Sequence, residues 1–236
     1  MLVAKDAPTG ASKPEDQAPG RAGRRPSDEG PEHYFTADPA TPARTSDVTF
    51  RVKDREFQLR AAGGVFSAGR LDPGTAVLLR KAPLPDPATE GALLDLGCGY
   101  GPIACVLATV APRATVYAVD VNARARELTR ANAERLGLDV RVSAPDDVAA
   151  DVRFAQIWSN PPIRVGKPAL HGLLRTWLPR LAPDGVAWLV VARHLGGDSL
   201  AAWLGDEGYD VARHASQQGF RVLRVTPKPL GPGVAG

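Results

Sequence analysis

The sequence predicts an α/β fold: a doubly wound, mostly parallel sheet of seven strands with a last antiparallel strand, preceded by a small β-hairpin and helix. Three observations predict it. First, Leu93 to Pro102 reads Leu-Leu-Asp-Leu-Gly-Cys-Gly-Tyr-Gly-Pro, and the apolar pattern resumes from Ile103 to Val110. An apolar run is the signature of a strand buried on both faces. Glycines at alternate positions then let the backbone turn and approach a ligand, and a helix follows. Strand, glycine loop and helix form the nucleotide-binding arrangement of doubly wound sheets. Second, strand and helix patterns alternate through the rest of the chain, as in a parallel sheet covered on both faces. Third, Asp95, Asp120, Asp147 and Asn160 stand at or near predicted strand ends, where open α/β sheets bind ligands.

Residues 1–31 are rich in Pro, Gly, Ala and charges of both signs and almost lack large apolar residues. Such a segment cannot offset the entropy of ordering, so a disordered tail is expected. Residues 32–85 form an extension opened by His33-Tyr34-Phe35. Within it Val48, Phe50 and Val52, then Phe57 and Leu59, alternate with polar residues as in a hairpin. Asp72-Pro73 starts a helix to about Lys81, with Asp as the cap and Pro at the first helical position. Pro83 to Pro87 lead into the main domain, residues 86–228, and 229–236 form a disordered end.

In the main domain the strands after Leu93 are Thr115–Val119, Val140–Val142, Phe154–Trp158, Val186–Ala192, Val211–His214 and Arg221–Val225. The helices are Asn122–Leu136, stopped by Gly137, then Leu170–Leu181 and Leu200–Leu204. The last two strands lie so close in sequence that one is expected to be antiparallel. The arginines of the Asn122 helix read as a solvated face.

Composition narrows the function. Of 236 residues, 44% are hydrophobic, enough for one sizeable core. Six Lys/Arg stand against eight Asp/Glu through Asp47, and 23 against 18 after it, so the folded part is mildly basic. A basic face suits an RNA partner. The two cysteines, Cys98 and Cys105, read as reduced thiols of a cytoplasmic protein. No Cys/His cluster has metal-ligand spacing. The start of the chain has no apolar leader, and no run is long enough to span a bilayer.

The glycine block differs from the dinucleotide fingerprint, whose third glycine comes three residues after the second. Asp95 within it would repel a pyrophosphate and attract a cation. Asp120, about 20 residues beyond the loop, is placed to accept from ribose hydroxyls. Capping the following helix is the alternative. Asp146 or Asp147 could accept from an adenine amino group, or simply cap or face solvent. Asn160-Pro161-Pro162-Ile163 ends a strand with two residues that lack backbone donors. It presents the Asn amide and the Pro161 carbonyl as rigid acceptors.

The glycine block resembles motif I of class I S-adenosylmethionine (SAM) methyltransferases, and Asn160 to Ile163 resembles their motif IV, Asn-Pro-Pro-aromatic. Together they resemble the small-domain methyltransferases similar to the catalytic half of the ribosomal small-subunit RNA guanine-N2 methyltransferases. Gly64-Val65-Phe66-Ser67 with Leu71-Asp72-Pro73-Gly74-Thr75 resembles that family's segment before motif I, so the likeness runs from about His33 to Val225. It implies a Rossmann-like fold, SAM as cofactor and an exocyclic amine as acceptor. That amine would be N2 of a guanine in ribosomal RNA, with that RNA or the small ribosomal subunit as partner. It implies cofactor contacts at Asp95, Gly97, Cys98, Gly99, Gly101, Asp120, Val121, Asp147 and Asn160. It implies catalytic roles at Asn160, Pro161, Pro162 and Ile163. Ile163 departs from the pattern and offers apolar contact in place of a ring to stack on the base. Family members often carry a further N-terminal domain; a short tail stands there in this sequence, so a different mode of RNA docking is expected. A protein glutamine amide, a small-molecule amine, and a non-catalytic SAM-binding RNA module are the alternatives.

Overall fold

The structure is a computed structural model and describes residues 45–63, 65, 70–162 and 166–228. The tail, the His33-Tyr34-Phe35 opening, Gly64, Phe66, Ser67, Ile163 and residues 229–236 lie outside the described residues.

Strand β1 (Thr45–Val52) and strand β2 (Arg55–Ala62) pair antiparallel around the two-residue turn Lys53-Asp54. Alternation places Val48, Phe50, Val52, Phe57 and Leu59 on the buried face, with Phe50 and Phe57 stacked at 5.4 Å. Helix α1 (Pro73–Lys81) begins where the sequence places it. Asp72 accepts the Thr75 N–H at 2.9 Å, and Pro73 needs no donor partner.

Seven strands form the main sheet: β3 (Ala92–Leu96), β4 (Thr115–Val119), β5 (Val140–Ser143), β6 (Phe154–Ser159), β7 (Leu181–Ala192), β8 (Tyr209–Gln217) and β9 (Phe220–Pro227). Their spatial order is β5-β4-β3-β6-β7-β9-β8. The first five are parallel, and β9 runs antiparallel to both β7 and β8. Helices α2 (Pro102–Val110), α3 (Ala123–Arg135), α4 (Lys167–Trp177) and α5 (Gly197–Asp206) complete the fold. One core combines the hairpin, α1, α2 and one face of the sheet; a second lies on the other face with α4 and α5. The hairpin and α1 therefore share a core with the part of the chain that carries the glycine loop.

Several elements differ from expectation. Helix α4 ends at Trp177, and Leu178–Arg180 forms a tighter turn, because Pro179 cannot donate to the helical ladder. Strand β7 starts at Leu181, ahead of Val186. Its register against β6 shifts between Phe154↔Leu181 and Gln156↔Val186, and the irregularity takes up the turn-like Ala-Pro-Asp-Gly stretch. Strands β8 and β9 run longer than their apolar residues indicate, since β8 is a partly exposed edge strand.

The strand order reverses between β3 and β6. From β3 the chain proceeds outward through β4 and β5, and from β6 outward through β7. The crevice at such a reversal, beyond the carboxyl ends of the strands, is where doubly wound sheets hold ligands. Here it brings the glycine loop after β3 beside the Asn-Pro-Pro segment after β6. The Ser159 hydroxyl donates to the Leu96 carbonyl at 2.7 Å and pins the two strand ends together.

Candidate active site

The three glycines of the loop serve different ends. Gly97 and Gly99 have φ of +77° and +59°, a region that side chains avoid. A Cβ on Gly97 would meet nothing within 4 Å, so it would project into open space; one on Gly99 would only graze Val65 at 4.0 Å. Gly101 serves packing: a Cβ there would lie 2.9 Å from the Thr129 methyl and 3.3 Å from the Thr129 Cα, where α3 crosses the start of α2. The loop is tied down by its own backbone. Gly97 and Cys98 N–H groups donate to Val119 O, and Gly101 N–H donates to Cys98 O. Asn132, fully buried on α3, donates to the Tyr100 and Arg60 carbonyls and accepts the Arg60 N–H, each at 2.8 Å. One amide thus joins loop, helix and hairpin.

Asp95 sits beneath the loop, fully buried. Its Oδ2 accepts the Ala104 N–H at 2.9 Å in the first turn of α2, and its Oδ1 has no partner. Burial pushes the carboxyl up to about 8; the Ala104 N–H offsets part of this and the nearby Asp120 charge adds to it. The carboxyl that the sequence places within the glycine block thus lies under the loop, in the core. A cation or donor at Oδ1 would favour the ionised form.

Asp120 lies at the end of β4. Its Oδ2 accepts from Gly99 N–H at 3.0 Å and its Oδ1 from Asn122 N–H at 2.9 Å. Its carboxyl is raised by burial, against the pull of these same N–H groups. The cap of α3 is Asn122, which accepts the Ala125 N–H, so Asp120 is not the helix cap. Arg126 holds the Asp120 and Val121 carbonyls at 2.8 Å. The Val121 side chain is left 46% exposed, an apolar surface beside the loop. Asp147 closes a short turn after β5 and is exposed.

Cys98 is placed differently from expectation. Its thiol faces the core, accepts from the Thr129 hydroxyl at 3.5 Å and is raised well above the usual thiol range by burial. Its N–H donates to Val119 O at the end of β4, and its carbonyl accepts from Gly101 N–H. The side chain is therefore turned into the core, against Thr129. Cys105, likewise buried, is pushed up to about 12.

Asn160 follows β6. Its amide nitrogen donates to Asp72 Oδ2 at 2.6 Å and to Thr75 Oγ1 at 3.1 Å. With both amide hydrogens committed, the Oδ1 remains as an acceptor. A charge-assisted bond of this kind fixes the orientation of the amide. Gly74 is part of the same cradle: a Cβ there would lie 2.9 Å from Asp72 Oδ2, 3.0 Å from Phe220 Cε1 and 3.3 Å from Asn160 Nδ2. Pro161 is buried and Pro162 half-buried, which fixes the segment. Asp72, Thr75 and Asn132 hold the candidate site together and are not among the residues that the sequence reading names for it. Asp72 shows locally only as a helix cap, and nothing nearby in sequence names its partner.

A buried carboxylate oxygen without a partner, an open cradle over Gly97, a carboxylate at the end of β4 and an exposed Val121 form a set that fits SAM.

Comparison with known proteins agrees. The family model for the methyltransferase small domain matches residues 56–224. The uncharacterized protein YbxB of Bacillus subtilis is 32% identical over 198 residues, covering 82% of this chain and 98% of its own. The ribosomal RNA small subunit methyltransferase C of Aeromonas hydrophila is 41% identical over 133 residues, 56% of this chain and 37% of that protein. The chain thus spans well under two thirds of that relative. Among solved structures, the T. thermophilus 16S rRNA N2 G1207 methyltransferase (RsmC), in complex with AdoMet and guanosine, superposes with a TM-score of 0.67. It is 24% identical, with 80% of this chain and 52% of that chain covered, a likeness of fold. The match across most of the folded residues, on a sheet with this strand order, makes the chain a member of the methyltransferase small domain family, the SAM-dependent methyltransferases.

Proposed function

We propose that this protein transfers the methyl group of SAM to an exocyclic amine, N2 of a guanine in small-subunit ribosomal RNA, in the cytoplasm. The observation that carries this reading is the anchored Asn160 amide: Asp72 and Thr75 hold its nitrogen and leave Oδ1 as a fixed acceptor. An aromatic amine is a poor nucleophile because its lone pair is delocalised into the ring. Two acceptors, Asn160 Oδ1 and the Pro161 carbonyl, would hold its hydrogens and aim the nitrogen. Catalysis would then come from orientation and from charge placed ahead of the reaction.

SAM supplies the activated methyl on its sulfonium. The residues proposed to hold it are Asp95 through the unpartnered Oδ1, the backbone of Gly97 to Gly101, Asp120 for the ribose, and Val121 with Asp147 for the adenine. The guanine must be unpaired or flipped to reach the cleft. The relatives named for ribosomal RNA small-subunit methylation support the substrate, as does the mild positive charge of the folded part.

The test is methyl transfer from labelled SAM to 16S RNA, small subunits, ribosomal protein and a pool of small amines, with mass mapping of the products. N2-methylguanosine in the RNA fraction is the expected product. Label confined to protein or to small amines overturns the RNA assignment, and normal SAM binding with no transfer to any pool overturns catalysis.

A further inference from the structure

Motif IV of this chain carries Ile163 where an aromatic ring would stack on the target base. The fold supplies a ring from elsewhere. Strands β8 and β9 are joined by the two-residue turn Gln218-Gly219, both at positive φ (52° and 79°), the geometry of a tight hairpin turn. Because β9 pairs antiparallel to β7, with Ala192 opposite Phe220, this tip lies at the carboxyl end of β7. That is the ligand end of the sheet. The tip is tied on two sides. Arg193 N–H, at the end of β7, donates to Gly219 O at 2.8 Å, and Arg80 of α1 donates to Gln217 Oε1 at 3.1 Å.

Phe220 is the first residue after the turn and is half-buried. A Cβ built on Gly74 would lie 3.0 Å from its Cε1 and 3.3 Å from Asn160 Nδ2, so ring edge and acceptor amide flank the same point. Among the described residues, Tyr100 (2% exposed) and Trp158 (fully buried) are sealed in the core. Phe220 packs against the first core and is only half-buried, so part of its surface stays outside that core.

We propose that Phe220 packs against the target base and takes the place of the aromatic residue missing at position 163. The inference rests on the base-methylating function proposed above. Contact between an aromatic ring and a base is sequence-tolerant, so Phe220 would hold the base while Asn160 reads its amine. Gly74 is bare because the ring and the amide need the same space.

The test uses the full chain and four proteins: wild type, Phe220→Leu, Phe220→Tyr, and the double variant Phe220→Leu with Ile163→Phe. The measurements are guanosine binding to the S-adenosylhomocysteine-loaded protein by ligand-observed NMR, KM and kcat with 16S RNA, SAM affinity by calorimetry, and melting temperature. Phe220→Leu is expected to raise KM about tenfold and weaken guanosine binding by a similar factor, as loss of one base–ring stack does. SAM affinity and melting temperature stay close to wild type. Phe220→Tyr recovers most of the loss, and so does the double variant, because a ring at 163 restores the surface. If Phe220→Leu binds guanosine as wild type does, the inference falls and the function stands. It also falls if the loss tracks a lowered melting temperature and neither ring restores it, since Phe220 is then a buttress for Gly74. If wild type neither binds guanosine nor methylates RNA, both readings fall together.

Discussion

The bonds within the cofactor loop span short distances along the chain: Asp95 to Ala104 is 9 residues, and Asp120 to Gly99 is 21. The acceptor side draws on three distant segments. Asn160 depends on Asp72, 88 residues earlier, and the Gly74 cradle is closed by Phe220 from the far hairpin. The first region is made mostly of backbone, with glycines that leave room. The second is made of side chains that hold one another. Substitutions in the loop should therefore act by blocking space and abolish cofactor binding. Substitutions around Asn160 should act by loosening an orientation, lowering rate while cofactor affinity stays.

The largest effect is expected from Gly99→Val. A branched side chain at φ +59° is strained, and in the proposed cofactor site it would distort the loop that the ligand approaches. SAM binding measured by calorimetry should be lost. Retained affinity would show that the loop does not approach the cofactor at Gly99 and would erase the contrast.

Next comes Asn160→Ala. Losing one oriented acceptor costs about 3 kcal/mol in the barrier, roughly a hundredfold in rate. SAM affinity should stay within about twofold, a small fraction of that energy. If instead SAM binding collapses while turnover at saturating SAM is unchanged, Asn160 belongs to the cofactor region.

Asp72 separates orientation from stability, because it both caps α1 and holds Asn160. Asp72→Ala should lower stability by about 1 kcal/mol through the lost cap and lower kcat on the order of tenfold through the freed amide. Asp72→Ser retains a capping oxygen, so thermal melting should return toward wild type. Its shorter neutral side chain does not replace the bond to Asn160, so kcat should not return. Recovery of both together would show that the rate loss came from the helix.

The smallest effect is a pH dependence. Burial raises the Asp95 carboxyl to about 8. Between the ordinary carboxylate range and about 8, the ligand-free folded protein retains a proton that the unfolded chain has released. This contribution to stability is present at acid pH and is lost as pH rises through about 8. Melting temperatures of the ligand-free protein should therefore fall over that window, and Asp95→Asn should flatten the fall. SAM affinity should tighten with pH over the same window, because a cation on Oδ1 is best met by the ionised carboxylate. A wild-type melting profile identical to that of Asp95→Asn would show that Asp95 is ionised without a ligand.

Much of this was legible in the sequence. The apolar run before Gly97, the Asp72-Pro73 start of α1, and the Asn122 to Gly137 limits of α3 all use local chemistry: strand patterning, capping and a glycine stop. The end of α4 at Trp177 and the start of β7 at Leu181 were not, since there a proline and a register shift against β6 overrule the apolar pattern. Of the site, the glycine loop, Asp120 and Asn160 could be named because each sits in a short motif. The sequence alone also determined that Ile163 stands where a ring would be.

Tertiary structure decided which way those residues face and what holds them. Cys98 belongs to the core because the loop's turn at Gly97 and Gly99 directs its thiol toward Thr129. Asp95 is held under the loop and pushed toward neutrality because the first turn of α2 folds over it. Asp72, Thr75 and Phe220 join the proposed acceptor site only because the packed sheet sets the start of α1 against both the end of β6 and the tip of the β8–β9 hairpin. Local patterns set backbone conformation through forces that act over a few residues. A hydrogen bond between residues 88 apart leaves no such local pattern, and only the packed sheet brings its partners into contact.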